Sequence, residues 1–175
     1  SKSTIPVWYM LGAQADLSQF NNGQKALQIY SNRTQMQEVF PLPTTDFSLF
    51  TLSDSTRNKL TRFPPLMAPF GNYRGTGANK VLLNQRIGEV PTPYPLLLFS
   101  DDNGHRTGIL TGEGLWRWSL AEYQSFGNHH AMEELLGQCV QYLTANSNRQ
   151  RFRVYPAKNV FDEGRNEWWT HGKRT

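Results

Sequence analysis

A chain of 175 residues is the size of one ordinary domain and long enough to bury a core. Hydrophobic residues make up 38% of it and aromatics 13%, so a core has to be built from few, large side chains, and no apolar run approaches the roughly 20 residues of a membrane-spanning helix. The formal net charge of +4 is confined to one end: residues 1–148 carry eleven Lys/Arg against eleven Asp/Glu, and residues 149–175 carry seven against three, which is not the spread basic face of a nucleic-acid binder.

In chain order, Ser1-Lys2-Ser3-Thr4-Ile5 shows neither an initiator methionine nor a signal peptide, the opening expected of a segment from a longer protein. "IPVWYML" (5–11) predicts a strand that stops at Gly12. "KALQIY" (25–30) and "MQEVF" (36–40) predict shorter strands or edge pieces. "DFSLFTL" (46–52) alternates at first, with Phe50 breaking the phase, and "SDSTRNKLTRF" then opens with capping residues and predicts a short helix. Residues 63–80 are so punctuated by proline and glycine that a long irregular loop is expected.

The second half is more regular. "KVLLNQRIG" (80–88) and "YPLLLFS" (94–100) are continuous apolar runs, the pattern of strands covered on both faces. The intervening "EVPTPYP" cannot be helical. "DDNGH" (101–105) carries Asn-Gly turn chemistry and predicts a hairpin into "RTGILTG" (106–112). Two helices follow, at about 115–126 and 129–145, split at Gly127-Asn128. The alternation of Arg151, Arg153 and Tyr155 against Phe152 and Val154 predicts a last, half-buried edge strand at 151–155.

Several residues carry candidate chemistry. "TGEGLW" has the layout of a nucleophile elbow, but Glu113 stands where Ser or Cys is needed, and a helix-start acid explains it more simply. Cys139 falls on one helical face with Leu135, Leu136, Val140 and Leu143, so it reads as a packing residue and not as a thiol nucleophile. His129 and His130 form i,i+4 pairs with Glu133 and Glu134. That spacing can chelate, but it lacks a distant further ligand; His105 and His171 lie in a turn and in the tail. "GTGANK" (75–80) lacks the phosphate-loop spacing and precedes a strand. Trp116 aligns with Leu120 and Tyr123 as a core stripe and anchors the helix, leaving Arg117 or Trp118 to reach a neighbouring loop, with Arg stacked on an aromatic ring.

"PLLLFSDDNGHRTGILTGEGLWRW" with the later "MEELLGQCVQYLTA" resembles the C-terminal part of class I glutamine amidotransferase-like domains. The variant in question occurs in bacterial membrane-anchored proteins, some associated with von Willebrand factor A-type modules. "PVWYMLG", "FSLFTL", "FPPLMAPFG" and "VLLNQRIG" fit the same group, so the likeness spans about residues 5–160 and is most specific over 95–143. The resemblance implies an α/β fold with a mostly parallel sheet and flanking helices, flavodoxin-like, lacking its first strands and ending in a hairpin. It also implies one partial domain at 5–160, with 161–175 a basic tail expected to be disordered or non-native. The family's Gly-x-Cys-x-Gly elbow and His-x-Glu are missing, so no catalytic residue, metal or cofactor carries over.

The function this implies is a non-catalytic structural or interaction domain of a bacterial envelope protein. The parent would be membrane-anchored and this domain extracytoplasmic, with protein partners or neighbouring domains as its contacts and no nucleic acid. The alternative is a hydrolase or small-ligand-binding domain with a site at the strand ends near Glu113 and the 63–80 loop as a lid. Candidate interaction residues are Glu113, Arg117, Trp118, His129 and His130.

Overall fold

The computed structural model describes residues 5–31 and 35–145. In order the elements are β1 (Val7–Met10), α1 (Leu17–Gly23), β2 (Leu27–Tyr30), β3 (Met36–Pro43), α2 (Asp54–Leu60), β4 (Leu66–Pro69), β5 (Asn72–Gly75), β6 (Lys80–Ile87), β7 (Val90–Asp102), β8 (His105–Leu110), α3 (Leu115–Phe126) and α4 (His130–Thr144). The strand expected at 151–155 and the tail lie outside the described residues.

Six strands form one sheet in the order β1-β8-β7-β6-β3-β4, and β2 pairs with β5 in a separate ribbon. The protein is α/β, but the sheet is mostly antiparallel, and among the described residues only the β1–β8 pair runs parallel. This corrects the mostly parallel, flavodoxin-like expectation. The physical reason lies in the connections. β6 and β7 are joined across Gly88-Glu89, and β7 and β8 across Asn103-Gly104, and links this short can only reverse the chain. Asn103 (φ 54°) and Gly104 (φ 87°) both occupy the left-handed region that such a turn needs.

Residues 63–80 are a second correction: they fold into β4 and β5 instead of a long loop. β4 pairs with the first half of β3, Val39 opposite Leu66 and Met36 opposite Pro69. "DFSLFTL" stays irregular, and Phe47, Leu49 and Phe50 pack on the core from outside the sheet, Phe50 edge-on to Phe99 at 5.7 Å.

The sheet is covered on both faces. α2, α4 and Trp118 of α3 close over Leu83, Leu97, Phe99 and Leu110 on one side. On the other, α1 and the β2–β5 ribbon close over Leu98 and Ile109. Leu96, Leu97, Leu98 and Phe99 are buried in succession, the double cover that their continuous apolar run predicts.

Candidate functional site

Two regions bring the sequence-predicted residues to the surface: the strand-to-helix turn at Gly112-Glu113-Gly114, and the outer face of α3 with the α3–α4 corner. The turn follows β8, where Glu113 exchanges two main-chain bonds with Met67 of β4 (3.0 and 2.9 Å). Gly114, at φ 108°, then starts α3. No acid lies in the first turn of α3, so the helix-start reading of Glu113 is corrected. Its carboxylate points to the loop after β1 and accepts the Ala13 N–H at 3.1 Å. Gly12 passes so close beneath that a Cβ there would overlap Glu113 Oε2.

Glu113 therefore ties the C-terminal ends of the two parallel strands together. A cavity of about 270 Å³ lies on its β8 side, lined by Met10, Gly12, Leu110 and Gly114. A larger one, about 530 Å³, lies beyond the β1 loop against Asp16, Ser18, Gln35 and Pro69. Asp16 is engaged as the α1 cap, accepting from the N–H groups of Ser18 (2.9 Å) and Gln19 (3.0 Å). No histidine lines either cavity among the described residues. The 63–80 lid expected here is absent as such, since that stretch forms β4 and β5; Pro69 of β4 contributes to the cavity wall.

On α3 the tryptophans exchange the roles expected of them. Trp118 is fully buried, lies 5.5 Å from Phe63 ring to ring, and donates its indole N–H to Pro64 O at 2.7 Å. Trp116 is 66% exposed and follows the same outward stripe as Leu120 and Tyr123. Arg117 lies over the Trp116 ring at 5.5 Å. Trp118 is thus the anchor, and it does reach the neighbouring loop.

His129, the cap residue of α4, stacks on Tyr123 at 5.3 Å and shares a 3.0 Å hydrogen bond with Ser119. With Trp116 and Leu120 these side chains line a shallow concavity of about 430 Å³. His130 is exposed at the first position of α4. Its i,i+4 partner Glu134 turns away to the start of α2, accepting from Ser53 N (2.6 Å), Ser53 Oγ (2.7 Å) and Thr56 Oγ1. Among the described residues no group of three or more His, Cys, Asp or Glu side chains converges on a point where a metal could sit.

Two carboxylates carry more of the structure than the sequence suggests. Glu122 of α3 is fully buried, accepts the Ala131 (2.8 Å) and Met132 (3.1 Å) N–H groups at the start of α4, and pairs with Lys59 of α2 at 2.9 Å. Burial alone would raise its pKa, but the Lys59 hydrogen bond, the two backbone N–H donors and the lysine charge together hold it below the usual carboxylate value. Glu134 behaves likewise: its hydrogen bonds to Thr56 and Ser53 outweigh burial. The only cue in the sequence is indirect. His129 is a poor cap and makes no side-chain capping bond, so the donors at the start of α4 need an acceptor from elsewhere. Cys139 is buried and its thiol pKa is pushed up to about 12 by desolvation, so it is inert packing.

Comparison with protein-family models, with curated proteins and with solved structures found no match for this chain.

Proposed function

We propose that this chain is a non-catalytic interaction domain that engages a protein partner through the outer face of α3. The observation that carries this reading is the stripe of Trp116, Leu120 and Tyr123, which are 66%, 47% and 56% exposed on one helix face. Isolated exposed apolar residues are ordinary, but an aromatic stripe at helical spacing, with His129 stacked at its end, has the composition of an interface core. The elbow residue supports the same reading from the other direction. The Glu113 carboxylate is held by a main-chain N–H, an architectural role.

The setting, an extracytoplasmic domain of a membrane-anchored bacterial envelope protein, rests on the amidotransferase-like resemblance of residues 95–143, and so does the amidotransferase-like assignment itself. The strand-turn-helix at 105–126 is compatible with that resemblance. No described helix is long and apolar enough to cross a membrane.

A photo-crosslinking residue at position 120, in the longest native form of the protein, tests the interaction. The expected result is a discrete crosslinked product that an excess of unlabelled domain suppresses and an excess of the Trp116→Asp domain does not. Crosslinking no stronger than from position 80, at the start of β6, would overturn the proposal. The second reading is a small-ligand site in the 270 Å³ cavity that Glu113 lines, favoured by its position at the C-terminal ends of the parallel pair. It predicts that Glu113→Ala abolishes ligand binding with the fold intact.

A further inference from the structure

The outer face of α3 is shaped to receive another helix. The 430 Å³ concavity is bounded by Trp116, Ser119, Leu120 and Tyr123 of α3, with His129 closing one end. Positions i, i+3, i+4 and i+7 are the four corners of the hole that takes one side chain from a facing helix in knobs-into-holes packing. His129 is fixed at the rim by its stack on Tyr123 and its hydrogen bond with Ser119, so the hole is preformed.

The same stripe supplies the knob. Leu120 is exposed and lies about 160° around the helix from the buried Trp118 and about 200° from the buried Glu122, so it stands at the outermost point of α3. It also sits at the middle of the hole, whose corners run from 116 to 123. Any other helix would have to bring a matching knob; a second α3 brings it by construction. Charge then selects the direction. Arg117 is the only charged side chain of α3 outside the core, because Glu122 is buried. Parallel pairing would set two Arg117 side chains next to each other. Antiparallel pairing about the 119–120 midpoint separates them by about 8 Å along the axis. Each arginine, leaning toward its own N-terminus, then reaches the electronegative C-terminal end of the other α3, beside Gln124.

On the interaction reading of this face, we propose that its partner is a second copy of the chain, docked α3 against α3, antiparallel, with each Leu120 in the other copy's hole. The contact is isologous: every group meets its counterpart twice about one two-fold axis. Positions 116 and 123 are equally far from that axis, so each Trp116 ring covers Tyr123 and His129 of the other copy. Three exposed side chains and their flanks bury only a few hundred Å² from each copy. The pair therefore belongs to the small, transient class below about 1,200 Å² in total and dissociates on dilution.

Sedimentation equilibrium of the purified full chain between about 10 μM and about 1 mM tests this. The parent should show a reversible monomer–dimer equilibrium, and Trp116→Asp should weaken it about tenfold or more while keeping the parent's urea midpoint. Disulfide formation reads the direction, since the buried Cys139 does not compete. A mixture of Arg117→Cys and Gln124→Cys chains should give the mixed disulfide, and neither variant alone should link to itself. Self-linking of Arg117→Cys in place of the mixed product would overturn the antiparallel pair. A parent that stays monomeric throughout, or a dimer that Trp116→Asp leaves unchanged, would overturn the second copy as partner. A monomeric parent whose position 120 still crosslinks a different protein leaves the interaction reading standing without this one; a monomer with no product at position 120 removes both.

Discussion

Trp116 and Trp118 are two positions apart, which on a helix turns them about 200° from each other, so only one can face the sheet. Hydropathy favours the stripe of Trp116, Leu120 and Tyr123. The protein instead buries Trp118 and Glu122, with Leu115 partly buried on the same stripe, and the glutamate in it disguises the core face. No pattern rule finds such a face, because Glu122 is tolerated only through Lys59 and two N–H groups that lie far away in sequence. The energetic contrast should be large. Trp118→Ala removes a fully buried ring and the Pro64 hydrogen bond and should cost about 3–5 kcal/mol in urea unfolding. Trp116→Ala, at an exposed position, should stay within about 0.5 kcal/mol of the parent. Glu113 invites a finer test. Gly12→Ala displaces its carboxylate from Ala13 N, so in an urea-unfolding cycle the penalty for Gly12→Ala should shrink by about 1 kcal/mol when Glu113 is already alanine. Strictly additive penalties would mean that the two do not meet in solution.

Among the elements, three helices are linked in a ring by carboxylates. Glu122 on α3 supplies the missing cap of α4, Glu134 on α4 holds Ser53, the cap residue of α2, and Lys59 on α2 returns to Glu122. Each carboxylate has a folded pKa below its unfolded one. Its contribution is therefore complete above the ordinary carboxylate range and is lost as pH falls through the depressed folded value. Stability should decline on the acid side by at most about 1.4 kcal/mol per pH unit for each group. Glu122→Gln and Glu134→Gln should each flatten that decline while lowering stability at neutral pH, as urea midpoints measured down an acid series would show. An acid limb of unchanged slope in both variants would assign the decline to other carboxylates. The elements themselves were largely legible, because helix starts, hairpin turns and apolar runs are local signals. Strand direction has a cue in the sequence that the apolar runs do not carry: a continuous apolar run reports cover on both faces, whereas direction follows from the links. The Asn103-Gly104 turn already makes the β7–β8 pair antiparallel. The prolines and glycines of 63–80 predict a loop because punctuation looks alike whether it interrupts a long loop or separates two four-residue strands.

For the molecule as a whole, one side chain reports on whether the two-sided core opens as a unit. Cys139 is the single cysteine, lies at 0% exposure in the cluster that joins α4 to the sheet, and has its thiol pKa raised to about 12. Desolvation disfavours the thiolate, the nucleophilic form, so a disulfide reagent gains access only when α4 leaves the sheet. α4 also carries Glu134, which holds the Ser53 cap of α2, and receives its own cap from Glu122, so its departure should break the carboxylate ring and expose Leu135 and Leu143 together. Labelling should then require global unfolding, and the logarithm of its rate should rise with urea along the slope that equilibrium unfolding gives. Trp118→Ala should accelerate labelling in water by the factor its stability loss implies, tenfold for each ~1.4 kcal/mol. Trp116→Ala should leave the rate nearly unchanged. A labelling rate independent of urea would show that α4 opens alone, and the three helices would then not act as one cooperative layer.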